Sequence, residues 1–389
     1  MQTRMLKFRL YPNKTQREIL EQALENCRCV YNCLLAAQKN TYEETGKLIS
    51  QYDQNLKLTQ LKGENPTLSK VHSQVLQNIS KRIRDAYHNF FVRGRLGLKA
   101  GPPRFKKYGR YKSVTYPQSG FRVEGKKLLL SKIGSINIKL HRSIKGDVKT
   151  LTVKRMPSGK WFAIFSCKIM FEPEQKPNGA VGVDVGLNHF AVLSDGQAIE
   201  NPRCLRKSES RLARLQRRLS RKKRKSRNRE KARIKAARLH ETIFNQRNDF
   251  LHKLSRKLTD SYSTIVVEDL QISNMIQNHK LAKSIADASW GRFIRMLSYK
   301  EEESGGEVVK VNPKGTTQIC SRCGLKVPKT LAQRIHVCPR CGLKVDRDLN
   351  ASRNILKNTV GTTGITPVEI EPLLSQGASL IAEAGSHRS

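Results

Sequence analysis

Acidic residues are scarce in this sequence, and long apolar runs are missing altogether. The 389 residues include 32 Asp and Glu against 74 Lys and Arg, which gives a formal net charge of +42. No stretch approaches the ~18 consecutive apolar residues of a membrane-spanning helix, which excludes an integral membrane protein. The opening residues MQTRMLKFRLYPNK show no apolar segment followed by a small-residue cleavage site, so we expect no secretory signal.

The positive excess itself predicts a polyanionic partner. Charge of this size repels itself and destabilises the folded state unless something neutralises it. Nucleic acid is the partner we expect, because its phosphates bind Lys and Arg with release of counterions. Three less favoured explanations are a basic surface that only adds solubility, an acidic protein partner and a membrane surface.

Hydrophobic periodicity predicts a small helical region behind a first strand at residues 3–11. After Thr15 the apolar positions recur every three or four residues: Leu20, Leu24, Cys27, Val30, Tyr31 and Leu34. The same spacing predicts a helix from about Leu68 to Val92. We interpret Cys27, Cys29 and Cys33 as small core residues and not as metal ligands, because no partner pair lies nearby.

The spacing of the apolar residues changes twice further along the chain. From Val114 to Met170 short segments have an apolar residue at every second position, which predicts a β-barrel or meander of five or six strands. A buried strand at Val181-Gly-Val-Asp-Val and a second one at Phe190–Leu193 predict a hairpin. Residues 203–257 are helical and basic, with 22 Lys or Arg against four acids. After residue 360 the periodicity is lost, and we expect a disordered tail over 360–389.

Four of the nine cysteines form two CxxC pairs separated by 14 residues: Cys320, Cys323, Cys338 and Cys341. Each pair lets two thiolates reach one ion from a tight knuckle, and a glycine follows each pair to permit the turn. The spacing predicts a tetrahedral Zn²⁺ site of the ribbon type. Because sulfur fills all four positions, this zinc is expected to be structural, and redox use of the pairs is disfavoured.

Three carboxylates lie in or beside apolar segments, where burying an unpaired charge costs free energy. Asp184 interrupts a Val and Gly strand, Glu268 ends the strand Ile265-Val-Val, and Asp348 lies at a helix start. Singly, these could be a turn residue, a strand-end residue and an N-cap. Together they could converge at one end of a sheet and bind two Mg²⁺ ions for phosphodiester hydrolysis. Asp195, Asp269 and Asp346 are also candidates, and pattern alone does not choose between Asp346 and Asp348.

The ordered set of motifs resembles a family. GVDVGLNHFAVLSDG, IVVEDL, the W-x-x-F-x-x-x-L-x-Y-K stretch from Trp290, the CxxC pairs and DRDLNASRNIL follow one another as in TnpB, a family of transposon-encoded, RNA-guided DNA endonucleases similar to the ancestors of type V CRISPR effectors. The likeness spans nearly the whole chain. One small departure is Asn350-Ala351-Ser352, where Asn-Ala-Ala is commoner.

The resemblance implies an α+β multidomain fold. It implies a helical recognition module (15–97), a β-barrel or wedge domain (1–14 and 98–175), and an RNase H-like RuvC nuclease domain (176–315 and 344–359) interrupted by a four-cysteine zinc ribbon (316–343). It also implies Asp184, Glu268 and Asp348, not Asp346, as catalytic Mg²⁺ ligands. All three acids are present, so we expect an active nuclease.

The family further implies a guide RNA from the transposon end, a double-stranded DNA target, a prokaryotic cytoplasmic location and a separate transposase from the same element. In such systems the protein reads a short flanking motif and base pairing reads the rest. Candidates for reading that motif are side chains able to contact base edges, sugars or methyl groups: Tyr52, Ser73, Gln74, Gln77 and Thr115. The basic run 203–257 is expected to contact the phosphates of the guide–target duplex.

Two other functions compete with this one. A strand-transferring transposase uses similar acids, but we identify no N-terminal helix-turn-helix in the sequence, and the ribbon lies just before the third acid. A DNA-binding repressor, with or without RNA, needs no catalytic acids, and the intact set disfavours it.

Overall fold

The computed structural model of the protein describes residues 2–170, 179–330 and 333–359. The chain divides into two compact units, Met1–Phe171 with Leu215–Leu239, and Glu172–Arg214 with His240–Ser389. The basic run 203–257 therefore contributes to both units. No helix among the described residues is long and apolar enough to cross a membrane. The tail expected over 360–389 lies outside the described residues.

The first unit contains α1 (Lys14–Thr45), α2 (Gln51–Glu64), a 3-10 helix (Pro66–Lys70) and α3 (Ser73–Arg95). α1 begins close to the predicted position because Asn13 and Gln16 form a capping box, in which each side chain accepts from the other residue's backbone N–H at 2.8 and 3.1 Å. The single helix predicted from Leu68 is wrong in its first turn. Val71 is extended and separates the 3-10 helix from α3.

The cysteines of α1 divide between its two faces. Cys27 is buried with Leu20, Leu24 and Tyr31, as predicted. Cys29 and Cys33 are exposed, so their prediction as core residues is wrong. At about 100° per residue, positions 29 and 33 turn away from the buried stripe.

Seven antiparallel strands form the sheet of the first unit. They are β1 (Gln2–Tyr11), β2 (Ser113–Tyr116), β3 (Phe121–Glu124), β4 (Lys127–Leu130), β5 (Gly134–Lys139), β6 (Asp147–Arg155) and β7 (Trp161–Ile169). Their order is β2-β6-β7-β1-β5-β4-β3. Four residues connect the two edge strands, β2 and β3, and the rings of Tyr116 and Phe121 lie 6.4 Å apart. So short a connection between opposite edges requires the sheet to curl into a nearly closed barrel.

The second unit is built on a mixed five-stranded sheet. It comprises β8 (Ala180–Val185), β9 (His189–Leu193), β10 (Ala198–Glu200), β11 (Thr264–Glu268) and β12 (Glu307–Val311), in the order β10-β9-β8-β11-β12. β8 pairs antiparallel with β9, which confirms the predicted hairpin, and parallel with β11. β11 pairs parallel with β12.

The remaining helices are α4 (Cys204–Ser220), α5 (Arg227–Ser261), α6 (Ile272–Met275), α7 (Ala282–Ala288), α8 (Trp290–Ser304) and α9 (Arg347–Lys357). One face of the five-stranded sheet packs in a core with Leu251 of α5 and Phe293 of α8. On the other face, Val266 of β11 packs with Ile355 of α9. Both faces are covered, which explains why β8 and β11 are apolar along most of their length.

Candidate active site

Asp184 and Glu268 lie side by side at the carboxyl ends of two parallel strands. Val183 of β8 is in register with Val267 of β11, so the next residues, Asp184 and Glu268, are neighbours. Alternation along a strand places Glu268 on the same face as Val266, which packs against α9. Both carboxylates therefore face the helix that carries the third acid.

Gly182 brings α9 close to β8. A Cβ at this position would lie 2.1 Å from the carbonyl oxygen of Ser352 and 2.9 Å from the backbone nitrogen of Leu356, so the helix backbone rests on the strand. Asp184 lies two residues further along the same face of the strand, and Asp348 lies one helical turn before Ser352. Two residues along the strand and one turn along the helix cover similar distances, so Asp348 lies towards Asp184.

The charges of the three acids act on one another. Burial raises the pKa of Asp184 well above its usual value, and the negative charges of Glu268 and Asp348 raise it further, while Arg347 opposes them. Burial also raises the pKa of Glu268, against a hydrogen bond of 2.6 Å that the Thr316 hydroxyl donates to Glu268 Oε1. The folded protein alone therefore does not fully stabilise the ionised carboxylates of Asp184 and Glu268.

Asp346 and Asp348 have different surroundings. Asp346 is the N-cap of α9, and its Oδ1 accepts from the backbone N–H groups of Asp348 and Leu349 at 2.8 and 3.2 Å. Asp348 lies in the first turn of α9 and accepts from Arg347 Nε at 3.2 Å. The N-cap role considered for Asp348 is therefore filled by Asp346. The Asp348 carboxylate does not cap the helix and lies on the side of Asp184.

The two remaining candidate acids have partners of their own. Asp195 lies in a turn and accepts from the Tyr262 hydroxyl at 2.7 Å. Asp269 is exposed and lies 3.8 Å from the Lys310 ammonium. The main causes of the raised pKa of Asp184 are burial and the charges of Glu268 and Asp348.

Replacing Asp184 by Asn should stabilise the protein at neutral and higher pH when no divalent cation is added. Because its pKa is raised in the folded state, Asp184 is neutral at low pH, and the wild type loses stability as the pH rises through that pKa. The Asn variant bears no such charge, so its Tm should exceed that of the wild type by about 2–4 °C for each kcal/mol relieved. Thermal scans from pH 4 to pH 8 measure the difference, which should grow with pH. A difference that does not change with pH contradicts this electrostatic account.

The donor set fits a hard divalent cation. Three carboxylates offer only oxygen ligands, the type that Mg²⁺ prefers. The carboxylate oxygens of the three acids do not, however, surround one common position. Within the described part of the chain, the groups of three or more His, Cys, Asp or Glu whose ligand atoms all lie within 4.8 Å of one another comprise the four cysteines alone. As the side chains stand, the carboxylates are spaced too widely for one ion to contact all three.

The four cysteines do close around one point. The Sγ atoms of Cys320 and Cys341 lie 3.6 Å apart, and those of Cys323 and Cys338 lie 3.4 Å apart. Each CxxC pair forms the same knuckle, in which the N–H of the following glycine donates to the carbonyl of the first cysteine at 2.9 or 3.0 Å. Both glycines have positive φ, which their lack of Cβ permits. The backbone N–H of Cys341 lowers the pKa of Cys338 to about 6, whereas burial and the neighbouring thiols raise the pKa of Cys341 to about 11. Zinc binding would require all four to be thiolates.

The segment that carries the first cysteine pair is attached to α9 by two buried asparagines. The Asn350 side chain accepts from the Ser321 N–H at 2.9 Å and donates to the Ile319 carbonyl at 2.7 Å. Asn354 Nδ2 donates to the carbonyls of Thr316 and Ile319 at 2.8 and 2.6 Å. The paired strands β13 (Ile335–Val337) and β14 (Lys344–Asp346) flank the second pair, and β14 leads directly into α9. The cysteine cluster thus supports the helix that carries Asp348.

The candidates for DNA-motif reading have different surroundings. Tyr52 is 71% exposed, and Ser73 and Gln77 are also exposed. Gln74 Oε1 accepts from Ser119, and the Thr115 hydroxyl is held by Arg82 at 2.7 Å and Thr152 at 2.8 Å. Three of the five are therefore open to a ligand, and the other two make hydrogen bonds within the first unit.

Four residues of the site were missed in the sequence: Gly182, Thr316, Asn350 and Asn354. Gly182 did carry a signal, because a glycine inside an apolar strand indicates close approach of another backbone. The roles of the other three depend on which loop the fold places beside α9, and no local pattern contains that information.

Comparison with solved structures defines the fold class. The protein in a cryo-EM structure of a Cas12f1–sgRNA–target DNA complex superposes with a TM-score of 0.55 at 14% identity, over 88% of this chain and 83% of that one. The α+β architecture with its barrel-like sheet therefore resembles the fold of that Cas12f1 protein. Family profiles agree: residues 149–279 match a family described as "Probable transposase" (OrfB_IS605), and residues 290–355 match the Cas12f1-like TNB domain.

Sequence relatives give the family itself. A Streptomyces pristinaespiralis protein named "Putative RNA-guided DNA endonuclease" is 35% identical over 91% of this chain and 88% of its own length. InsQ of Escherichia coli K12, which carries the same description, is 34% identical over 90% of each chain. The chain belongs to the TnpB (OrfB_IS605) family.

The N-terminal segment requires a correction. Residues 1–47 match a profile described as a helix-turn-helix domain, although we identified no such domain in the sequence. In the structure this segment is strand β1 followed by the single 32-residue helix α1. The presence or absence of an N-terminal helix-turn-helix therefore does not distinguish a transposase from a nuclease here.

Proposed function

We propose that this protein is an RNA-guided endonuclease that cleaves double-stranded DNA with Asp184, Glu268 and Asp348. One observation carries the proposal: β8, β11 and α9 bring three acids together, and burial, with the charges of Glu268 and Asp348, raises the pKa of Asp184 well above its usual value. Strongly perturbed carboxylates at the carboxyl ends of parallel strands are typical of functional sites. The family adds the substrate class, because relatives matched over most of their length are named "Putative RNA-guided DNA endonuclease".

The three acids would hold Mg²⁺, which when bound supplies an activated water and stabilises the leaving oxygen of the phosphodiester. The residues around them have separate tasks. Asp346 holds the first turn of α9, Arg347 restrains the Asp348 carboxylate, and Thr316 restrains the Glu268 carboxylate. Zinc at the four cysteines would be structural, since no coordination position is left for substrate.

We propose the same domain boundaries as the sequence indicates, except that residues 215–239 belong to the first unit. The sheet order β10-β9-β8-β11-β12, in chain order third, second, first, fourth and fifth, supports an RNase H-like RuvC domain over residues 176–315 and 344–359. Residues 316–343 would be the inserted zinc ribbon. Residues 15–97 would be the recognition module, and residues 1–14 with 98–175 the wedge barrel.

The partners we propose are a guide RNA from the transposon end and the DNA strand that it pairs with. All nine Lys and Arg residues from Arg211 to Lys225 are exposed, as contacts to backbone phosphates require. The exposed residues Tyr52, Ser73 and Gln77 remain candidates for reading a short motif beside the target. A separate transposase would be encoded by the same element.

The test is cleavage that follows the guide. The protein is expressed from its native locus, the copurifying RNA is sequenced, and the complex is incubated with target plasmid and Mg²⁺. Linear product should appear only when the guide matches the target, and a changed guide should redirect cleavage to a new site. Joined strands formed without RNA would indicate the transposase instead. Guide-dependent binding without any cleavage would indicate the repressor.

A further inference from the structure

Thr316 lies outside the motifs that contain the acids and the cysteines, yet it contacts a candidate metal ligand. Its side chain is 2% exposed, in the segment between β12 and the first cysteine pair. The hydroxyl lies 2.6 Å from Glu268 Oε1 and 3.3 Å from the Pro313 carbonyl oxygen. A hydroxyl has one proton to donate, and the shorter, charge-assisted bond to the carboxylate takes it.

The backbone of the same residue is bound from the opposite side of the site. The Thr316 carbonyl oxygen accepts from Asn354 Nδ2 at 2.8 Å, and Asn354 lies on α9. α9 also carries Asp348 in its first turn. One residue therefore connects the strand that supplies Glu268 with the helix that supplies Asp348.

We propose that Thr316 is a positioning residue, which orients the Glu268 carboxylate for a divalent cation and fixes it relative to α9. The inference rests on the proposed function of the three acids. With Oε1 held by the hydroxyl, the Glu268 side chain is ordered before the cation arrives, so binding costs less rotamer entropy. Residues that hold metal ligands in this way typically contribute about 10–100-fold in metal affinity or activity.

The test compares three variants of the full chain with its RNA bound. Thr316→Val removes the hydroxyl and keeps the shape, Thr316→Ser keeps the hydroxyl, and Thr317→Val changes the exposed neighbour. The Mg²⁺ concentration that gives half-maximal cleavage should rise about tenfold in Thr316→Val and stay near the wild-type value in the other two. High Mg²⁺ should restore most of the maximal rate of Thr316→Val, because the residue acts on cation binding and not on the chemical step.

A second measurement does not depend on cleavage. Mn²⁺ binding to each complex is measured by electron paramagnetic resonance, and the binding of the matching Asp184→Asn complex is subtracted to remove ions held by RNA. The Asp184-dependent Mn²⁺ should bind more weakly in Thr316→Val than in Thr316→Ser. In a Glu268→Gln background the Thr316→Val change should have no further effect on this binding, because its target is gone. This measurement tests the inference even if the wild type cleaves no DNA, a result that would count against the proposed function alone.

Three results would overturn the proposal. Equal weakening in Thr316→Val and Thr316→Ser would assign the role to the methyl group and to packing. Unchanged Mn²⁺ binding in Thr316→Val would show that the hydroxyl orients nothing. Loss of zinc from Thr316→Val, by elemental analysis, would assign Thr316 to folding of the ribbon.

Discussion

Asp184→Ala is expected to reduce target cleavage by at least about 1,000-fold, since metal ions supply several kcal/mol to such reactions and each 1.36 kcal/mol is a factor of ten. Burial and the charges of Glu268 and Asp348 raise the pKa of Asp184 well above its usual value, and its strand β8 contacts both β11 and α9. Guide and target binding should remain within a few-fold of the wild type, because the exposed cations of the basic helices are untouched. Cleavage is followed on labelled duplex DNA, and binding by filter retention of the same complex.

Two neighbouring acids provide matched controls for this prediction. Asp269→Ala removes an exposed carboxylate next to Glu268, and cleavage should persist. Asp346→Asn retains a side chain that can cap α9, so it should also remain active. Asp184→Ala with wild-type cleavage, or an inactive Asp269→Ala, would show that the site has been placed on the wrong acids.

Cys338→Ser is expected to lose the zinc and, with it, most of the cleavage activity. Structural zinc contributes about 10–16 kcal/mol to folding of small zinc domains, so the ribbon should not stay folded without it. Release of residues 316–321 would leave Asn350 and Asn354 buried without their partners, at about 1–3 kcal/mol for each unsatisfied group. The helix that carries Asp348 would then shift, and a displacement of ~1 Å at a catalytic group can cost about 100-fold in rate. We therefore expect a loss of at least that size, together with a lower Tm.

The measurements are zinc content by elemental analysis, Tm and cleavage rate. A chelator selective for zinc over magnesium should reproduce the effect on the wild type. Cys33→Ser is the matched control, because that thiol is exposed on α1 and lies far along the chain from the cluster. It should keep the zinc, the Tm and the activity. A Cys338→Ser protein that retains its zinc would refute the four-cysteine site.

Several features of the fold could be predicted because their causes are local. The helix at Thr15 and the alternation of the barrel strands follow from periodicity, and the hairpin of β8 and β9 from two adjacent apolar runs. The errors were local as well. Periodicity alone continued one helix through Val71, where the backbone is extended, and it took Cys29 and Cys33 for core residues although they point away from the stripe around Cys27.

By itself the sequence determined which reactive groups this protein has: four thiols at CxxC spacing, acids within apolar strands, and a large excess of cations. Each of these depends on residue type and short spacing. The resemblance to TnpB already favoured Asp348 over Asp346, and the tertiary structure supplied the physical reason: the N-cap hydrogen bonds hold the Asp346 carboxylate on the helix end, whereas Asp348 is bound by Arg347. The tertiary structure alone placed Thr316 on Glu268 and the two asparagines on the ribbon segment, because contacts between residues 29 to 48 positions apart are fixed by packing and not by local sequence.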